Sequence, residues 1–92
     1  MPVRLIVAIT AQPGRALELV AARQERLAEV RQEPGCEQYE LFQSTDDPDK
    51  LVLLERWTTV EQLEVHSALN RQRPSVAAEL QVGRSVLERF NY

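Results

Sequence analysis

The sequence is poor in the features that announce a chemistry. It holds one cysteine, Cys36, so no disulfide framework can staple it, and a lone thiol fits a reducing cytoplasm. It holds one histidine, His66, and gathers carboxylates only at Asp46-Asp47-Pro48-Asp49, which reads as a solvated turn rather than a calcium loop. A transition-metal site built from these side chains is not expected. There is no glycine-rich phosphate loop, no His-Glu pair at zinc spacing and no serine elbow, and nothing supports flavin or nicotinamide binding. No basic tract interleaves with aromatics, which argues against nucleic acid. No apolar run approaches the ~20 residues of a membrane span. Met1-Pro2-Val3-Arg4 leads straight into a strand-like run, so no signal peptide is expected.

What is present is an ordinary soluble composition. The 92 residues are 43% hydrophobic and carry a formal charge of −3. That is one domain, residues 1–92, of a size that buries only roughly 60–65% of its unfolded surface. Such a domain is marginal alone, and oligomerisation is one remedy.

The chain divides cleanly at its turn residues. Val3 to Thr10 is short and rich in β-branched and aliphatic residues, which predicts a strand. Gln12-Pro13-Gly14 breaks it. Arg15 to about Gln32 is helical, with Leu17, Val20, Ala21, Leu27 and Ala28 read as its buried stripe. Pro34-Gly35 stops that helix. Cys36 to Ser44 and Leu51 to Trp57 form a hairpin across the aspartate turn. Thr58 with Glu61, or Thr59 with Gln62, has capping-box spacing for a second helix to about Leu69. Ser75 to Leu80 reads as another short helix, and Arg84 to Tyr92 as a closing strand.

Strand, helix, strand, strand, helix, strand is the ferredoxin-like split βαβ order. It predicts an α+β fold: a four-stranded antiparallel sheet with helices on one face. Ile6 and Ala8 oppose the Leu5-Val7-Ile9 face, and Val52 and Leu54 oppose Leu51 and Leu53. A second apolar face needs a cover. A second copy supplies one, giving a homodimeric α+β barrel; a loop or the C-terminal tail folding over is the alternative.

One small constellation carries chemistry. Glu55, Arg56 and Trp57 end the third strand, Tyr39 lies on its neighbour, and Leu63, His66 and Asn70 share a face of the second helix. His66 is either a base toward a phenol or a structural residue. Trp57 either stacks on an aromatic ligand or sits in the core. Tyr39 is either a donor to a carbonyl oxygen or an edge residue. Glu55, facing inward, needs a partner, and an arginine is the expected one. Leu53 faces the same way as Glu55. Arg71 and Arg73 flank the expected pocket mouth, where they either draw in an anion or face solvent. Cys36 is expected to be a small buried hydrophobe.

The run Glu33-Pro34-Gly35-Cys36-Glu37-Gln38-Tyr39-Glu40, then Leu54-Glu55-Arg56-Trp57, then Leu63-Glu64-Val65-His66, resembles the antibiotic biosynthesis monooxygenase superfamily. The resemblance spans nearly the whole chain, including Pro13-Gly14. It implies a dimeric ferredoxin-like barrel with a pocket in each protomer. Members of that superfamily oxidise quinols or polyketide anthrones with O₂ and no cofactor, degrade haem, or process a phosphorylated autoinducer. Haem-degrading members carry a tryptophan where His66 stands and a later ligating histidine. Here the later region reads Pro74-Ser75-Val76-Ala77-Ala78, so haem turnover is not expected. Anthrone oxidisers pair an asparagine with a tryptophan near the third strand; here Trp57 stands without the asparagine.

The resemblance is nearest to the quinol-monooxygenase-like group. It implies a cofactor-independent monooxygenase acting on a small electron-rich aromatic with O₂. His66, Trp57 and Tyr39 are the catalytic candidates, and Leu53, Glu55, Leu63, Asn70 and Arg71 the substrate-binding ones, with no metal. Two other readings stay open: an isomerase or proton shuttle on a small phosphorylated metabolite, and a dimer that binds small molecules without catalysis.

Overall fold

The computed structural model describes residues 2–91. In chain order the elements are β1 (Val3–Thr10), α1 (Ala16–Arg31), β2 (Cys36–Gln43), β3 (Lys50–Trp57), α2 (Val60–Gln72) and β4 (Val86–Asn91). The four strands form one antiparallel sheet in the order β2-β3-β1-β4. This is the ferredoxin-like α+β arrangement. The expected closing strand ran on to Tyr92, which lies outside the described residues. Among the described residues no helix is long and apolar enough to cross a membrane.

Alternation along the strands decides what is covered. Val3, Leu5, Val7 and Ile9 of β1 are buried together with Leu51, Leu53, Glu55 and Trp57 of β3. The pairing Leu5↔Glu55↔Tyr39 and Val7↔Leu53↔Leu41 puts these side chains in rows on one face. The helices lie on that face.

The stripe that α1 buries differs from the one expected. Ala16, Leu19, Leu27 and Val30 are buried, whereas Leu17 is 73% exposed and Ala21 and Ala28 face solvent. Positions 16, 19, 23, 27 and 30 follow the helical period, and the middle one is Arg23. A stripe traced through apolar residues alone loses its phase at that arginine.

Helix α2 starts at Thr59, whose hydroxyl accepts from the Gln62 N–H at 3.2 Å, so Thr59 rather than Thr58 is the cap. It runs past Leu69 to Gln72 because nothing before Pro74 stops it. Arg73, the residue before that proline, is extended. The helix expected over Ser75 to Leu80 shrinks to a single 3₁₀ turn, Ala78–Leu80. Ala77 sits at φ 54°, a left-handed conformation that no helix continues through.

Candidate functional site

Three rings and a carboxylate, from three elements, meet under α2. Glu55 and Trp57 come from the covered face of β3, Tyr39 from β2, and His66 from the buried side of α2, one turn after Leu63. Trp57 has no exposed surface and His66 is 5% exposed. Their rings stack with centroids 4.5 Å apart and planes 27° from parallel. Tyr39 meets the imidazole edge-on at 5.6 Å. The indole Nε1–H of Trp57 donates to the Glu55 carboxylate at 3.0 Å.

A second carboxylate holds the histidine. Glu33 Oε1 lies 2.9 Å from His66 Nδ1, and its other oxygen lies 2.7 Å from the Arg73 guanidinium. The backbone aims Glu33 here by a turn that leaves α1: the Glu33 N–H bonds back to the Val30 carbonyl, and the Cys36 N–H to that of Glu33. Gly35 makes the turn at φ 83°, where a Cβ would also run into the Gln62 side chain. An ionised Glu33 makes Nδ1 the protonated nitrogen. Nε2 is then left as a free lone pair, with no hydrogen-bond partner among the described residues.

Burial shapes the titration of the neighbours. It raises the Glu55 carboxyl above the usual range, opposed by the Trp57 hydrogen bond and by His66 and reinforced by Glu33. It also raises the Tyr39 phenol, with Glu55 and Glu33 adding to the effect. The Cys36 thiol, half-buried beside the core, is pushed up to about 11 by burial first and by Glu33 and Glu55 next. Neither the phenol nor the thiol is an ionised nucleophile at neutral pH.

Two hollows each take several of the candidate side chains. The first, of about 260 Å³, opens between α2, β1 and β4, and takes Glu55, Leu63, His66, Asn70 and Arg71 into its wall. The second, of about 330 Å³, lies between α1, the sheet and the segment after α2, and takes Tyr39, Leu53 and Asn70. The eight candidates are therefore brought into one neighbourhood, but seven of them are shared between two spaces, with Asn70 on both. Trp57 lines neither hollow: its face is spent on His66. Glu55 is met by the Trp57 indole and not by an arginine. Arg71 sits at the rim of the first hollow; Arg73 turns inward to Glu33.

The role of Glu33, which stood only as the first residue of the run Glu33 to Glu40, was not expected from the sequence, nor were Arg23 and Arg26. An acidic residue immediately before Pro-Gly at a helix end was the available signal for the first. An arginine in phase with a buried stripe was the signal for the second. Among the described residues no group of three or more His, Cys, Asp or Glu side chains is placed to hold a metal ion.

The profile of the antibiotic biosynthesis monooxygenase family matches residues 2–77. Among solved structures the chain is similar to one from Nitrosomonas europaea, provisionally named an antibiotic biosynthesis monooxygenase. The TM-score is 0.85 at 19% identity, over 99% of this chain and 89% of that one. It is similar to a Mycobacterium tuberculosis protein, Rv0793, with TM-score 0.80 at 27% identity over 100% and 95% of the two chains. A Pseudomonas aeruginosa protein, PA3566, gives 0.79 at 29% over 99% and 93%. No curated protein matches.

Proposed function

The chain belongs to the antibiotic biosynthesis monooxygenase family, and from that premise we propose that it is a cofactor-independent monooxygenase which oxidises a small electron-rich aromatic, such as a quinol, with O₂. Family membership supports the general monooxygenase-like activity. The observation that carries the finer reading is the Glu33–His66 pair at 2.9 Å, stacked on Trp57 at the wall of a hollow.

A carboxylate on Nδ1 fixes the tautomer and stabilises the imidazolium that forms when Nε2 takes a proton. Trp57 beneath the ring and Tyr39 at its edge hold the imidazole plane, so the base has one orientation. In this mechanism Nε2 of His66 removes a phenolic proton from a substrate seated against Leu63 and Asn70. The electron-rich anion passes one electron to O₂, and the substrate radical and superoxide combine at a ring carbon. The resulting peroxide anion takes the proton back from His66, and the hydroperoxide so formed loses water. A quinol thereby becomes a hydroxyquinone: one oxygen atom stays on the ring, and the other leaves as water with two hydrogens of the substrate. Trp57 acts through His66 and not by touching substrate, while Glu55 anchors the indole and lines the hollow.

A homodimer fits the sheet's other face. Phe42, Val52, Ala8 and Val86 pair in register as one apolar row across all four strands, with Leu54 and Ile6 in the next. Phe42 and Val86 are 46% and 66% exposed in the single chain. A row of that kind is covered well by its own two-fold copy. The lone Cys36 supports a cytoplasmic setting.

Oxygen uptake on a panel of quinols, with chelator present and no flavin or haem added, tests the reading. The expected result is one O₂ consumed per quinol, above autoxidation, with hydroxyquinone as product. Uptake no faster than the buffer alone across the panel overturns it.

A further inference from the structure

We propose that the second hollow, between α1, the sheet and residues 74–83, is a binding site for a small organic oxyanion, an apolar body carrying a carboxylate or phosphate group. No part of the proposed oxidation uses this space.

The charge balance of the wall is the argument. Arg23, Arg26 and Arg73 all line the hollow. Glu33 neutralises only Arg73, and it shares its other oxygen with His66. Among the described residues neither Arg23 nor Arg26 has a carboxylate partner. Arg23 reaches the Val76 carbonyl at 3.3 Å and the Gln81 amide oxygen at 2.7 Å. Arg26 reaches the Pro74 carbonyl at 3.0 Å. Burial accordingly depresses the Arg23 pKa, opposed by Tyr39 and by no carboxylate. A cation held in a partly buried place without a counter-ion is costly.

Two donors remain over. Among the described residues Arg26 Nε and Arg73 Nη1 are buried and find no acceptor; Glu33 Oε2, ion-paired to Arg73 Nη2 at 2.7 Å, also lacks a well-aligned hydrogen bond and can answer at most Arg73. Unmet buried N–H groups are rare in folded proteins, and guanidinium forks suit carboxylate and phosphate oxygens. The same hollow is also lined by apolar side chains, Ile9, Leu27, Leu41 and Leu53. The volume of about 330 Å³ suits a ligand of one or two rings. Fastening the 74–76 segment explains the arginines' carbonyl bonds; it does not explain an excess of charge and donors over acceptors.

The test is a titration of the whole protein with benzoate, phenyl phosphate, inorganic phosphate and neutral benzyl alcohol, followed by calorimetry and by the arginine Nε–H signals in NMR. The expected result is saturable binding of benzoate or phenyl phosphate, weakened by salt, with a downfield shift of the Arg26 Nε–H. Benzyl alcohol should leave that signal in place, and inorganic phosphate should bind more weakly than phenyl phosphate. Preference for benzoate or for phenyl phosphate says which oxyanion the site takes. Arg26→Gln should weaken binding by about tenfold or more. Benzyl alcohol shifting Arg26 as far as the anions do, anions binding without touching Arg26, or no binding at millimolar concentration would each overturn the proposal. None of these results bears on oxygen uptake, so the two readings fail separately.

Discussion

Under α2, Nδ1 of His66 has Glu33, Glu33 has Arg73, and the Trp57 indole has Glu55. Across Asn70, among the described residues, Arg23 and Arg26 have only neutral oxygens, and the Arg26 Nε–H has no acceptor. The two spaces share a wall yet differ in how completely their charges are answered. A partnered cluster is a fixed device, with one nitrogen left free to act. A cluster with donors to spare is a receptor, unfinished until a ligand arrives. That contrast locates the proposed chemistry in the first space and recognition of an anion in the second.

The contrast breaks most severely at Trp57. Trp57→Ala removes a fully buried indole and should cost about 3–5 kcal/mol in denaturant unfolding. Trp57→Phe, which keeps a ring under His66 but strands Glu55, should cost about 1–3 kcal/mol. Equal losses in the two variants would mean that the stack with His66 contributes nothing. Next comes Val52→Glu, which buries a charge if two sheets face each other. Light scattering should find the wild type dimeric at micromolar concentration and this variant monomeric or unfolded. A wild-type monomer across that range contradicts the dimer.

Glu33→Gln sharpens the comparison further. The amide keeps a contact to His66 but loses the charge that answers Arg73. Turnover should fall by part of the ~10²–10⁴ that a positioned base supplies, and a third arginine, Arg73, should join Arg23 and Arg26 in the anion hollow. Unchanged turnover with the imidazole's pH profile intact would separate Glu33 from the base.

The smallest effect is expected at Glu55. Its folded pKa is raised, chiefly by burial, so the folded state holds this proton more tightly than the unfolded chain. Its contribution to stability is complete below the unfolded pKa and is lost as pH rises through the folded one. Glu55→Gln removes that loss. The variant's advantage over wild type should therefore be greater at neutral pH than in mild acid; the opposite trend would show Glu55 ionised and favourably paired.

The fold was legible because strand alternation, Pro34-Gly35 and the Thr59 cap are local signals that agree with one another. The helix stripe was misread where Arg23 stands in phase with Leu19 and Leu27, since periodicity is traced through apolar residues. The site was half legible. His66, Trp57, Glu55 and Tyr39 come together because strand register and helix face are periodic. Their partners were not legible: Glu33 and Arg73 reach His66 from a turn and a helix end, and no period governs turns. Nor does a sequence show that two adjacent hollows divide the candidates between them.

The central claim is that His66 Nε2 is the base, and the direct test is quinol turnover by wild type and His66→Ala at about pH 7 and about pH 10, on either side of phenol ionisation. The account predicts a defect of roughly 10²–10⁴ at the lower pH. That defect should shrink at the higher pH, where solvent deprotonates the substrate. The same rate for both proteins at neutral pH, or a defect of the same size at both, would take His66 out of the proton transfer.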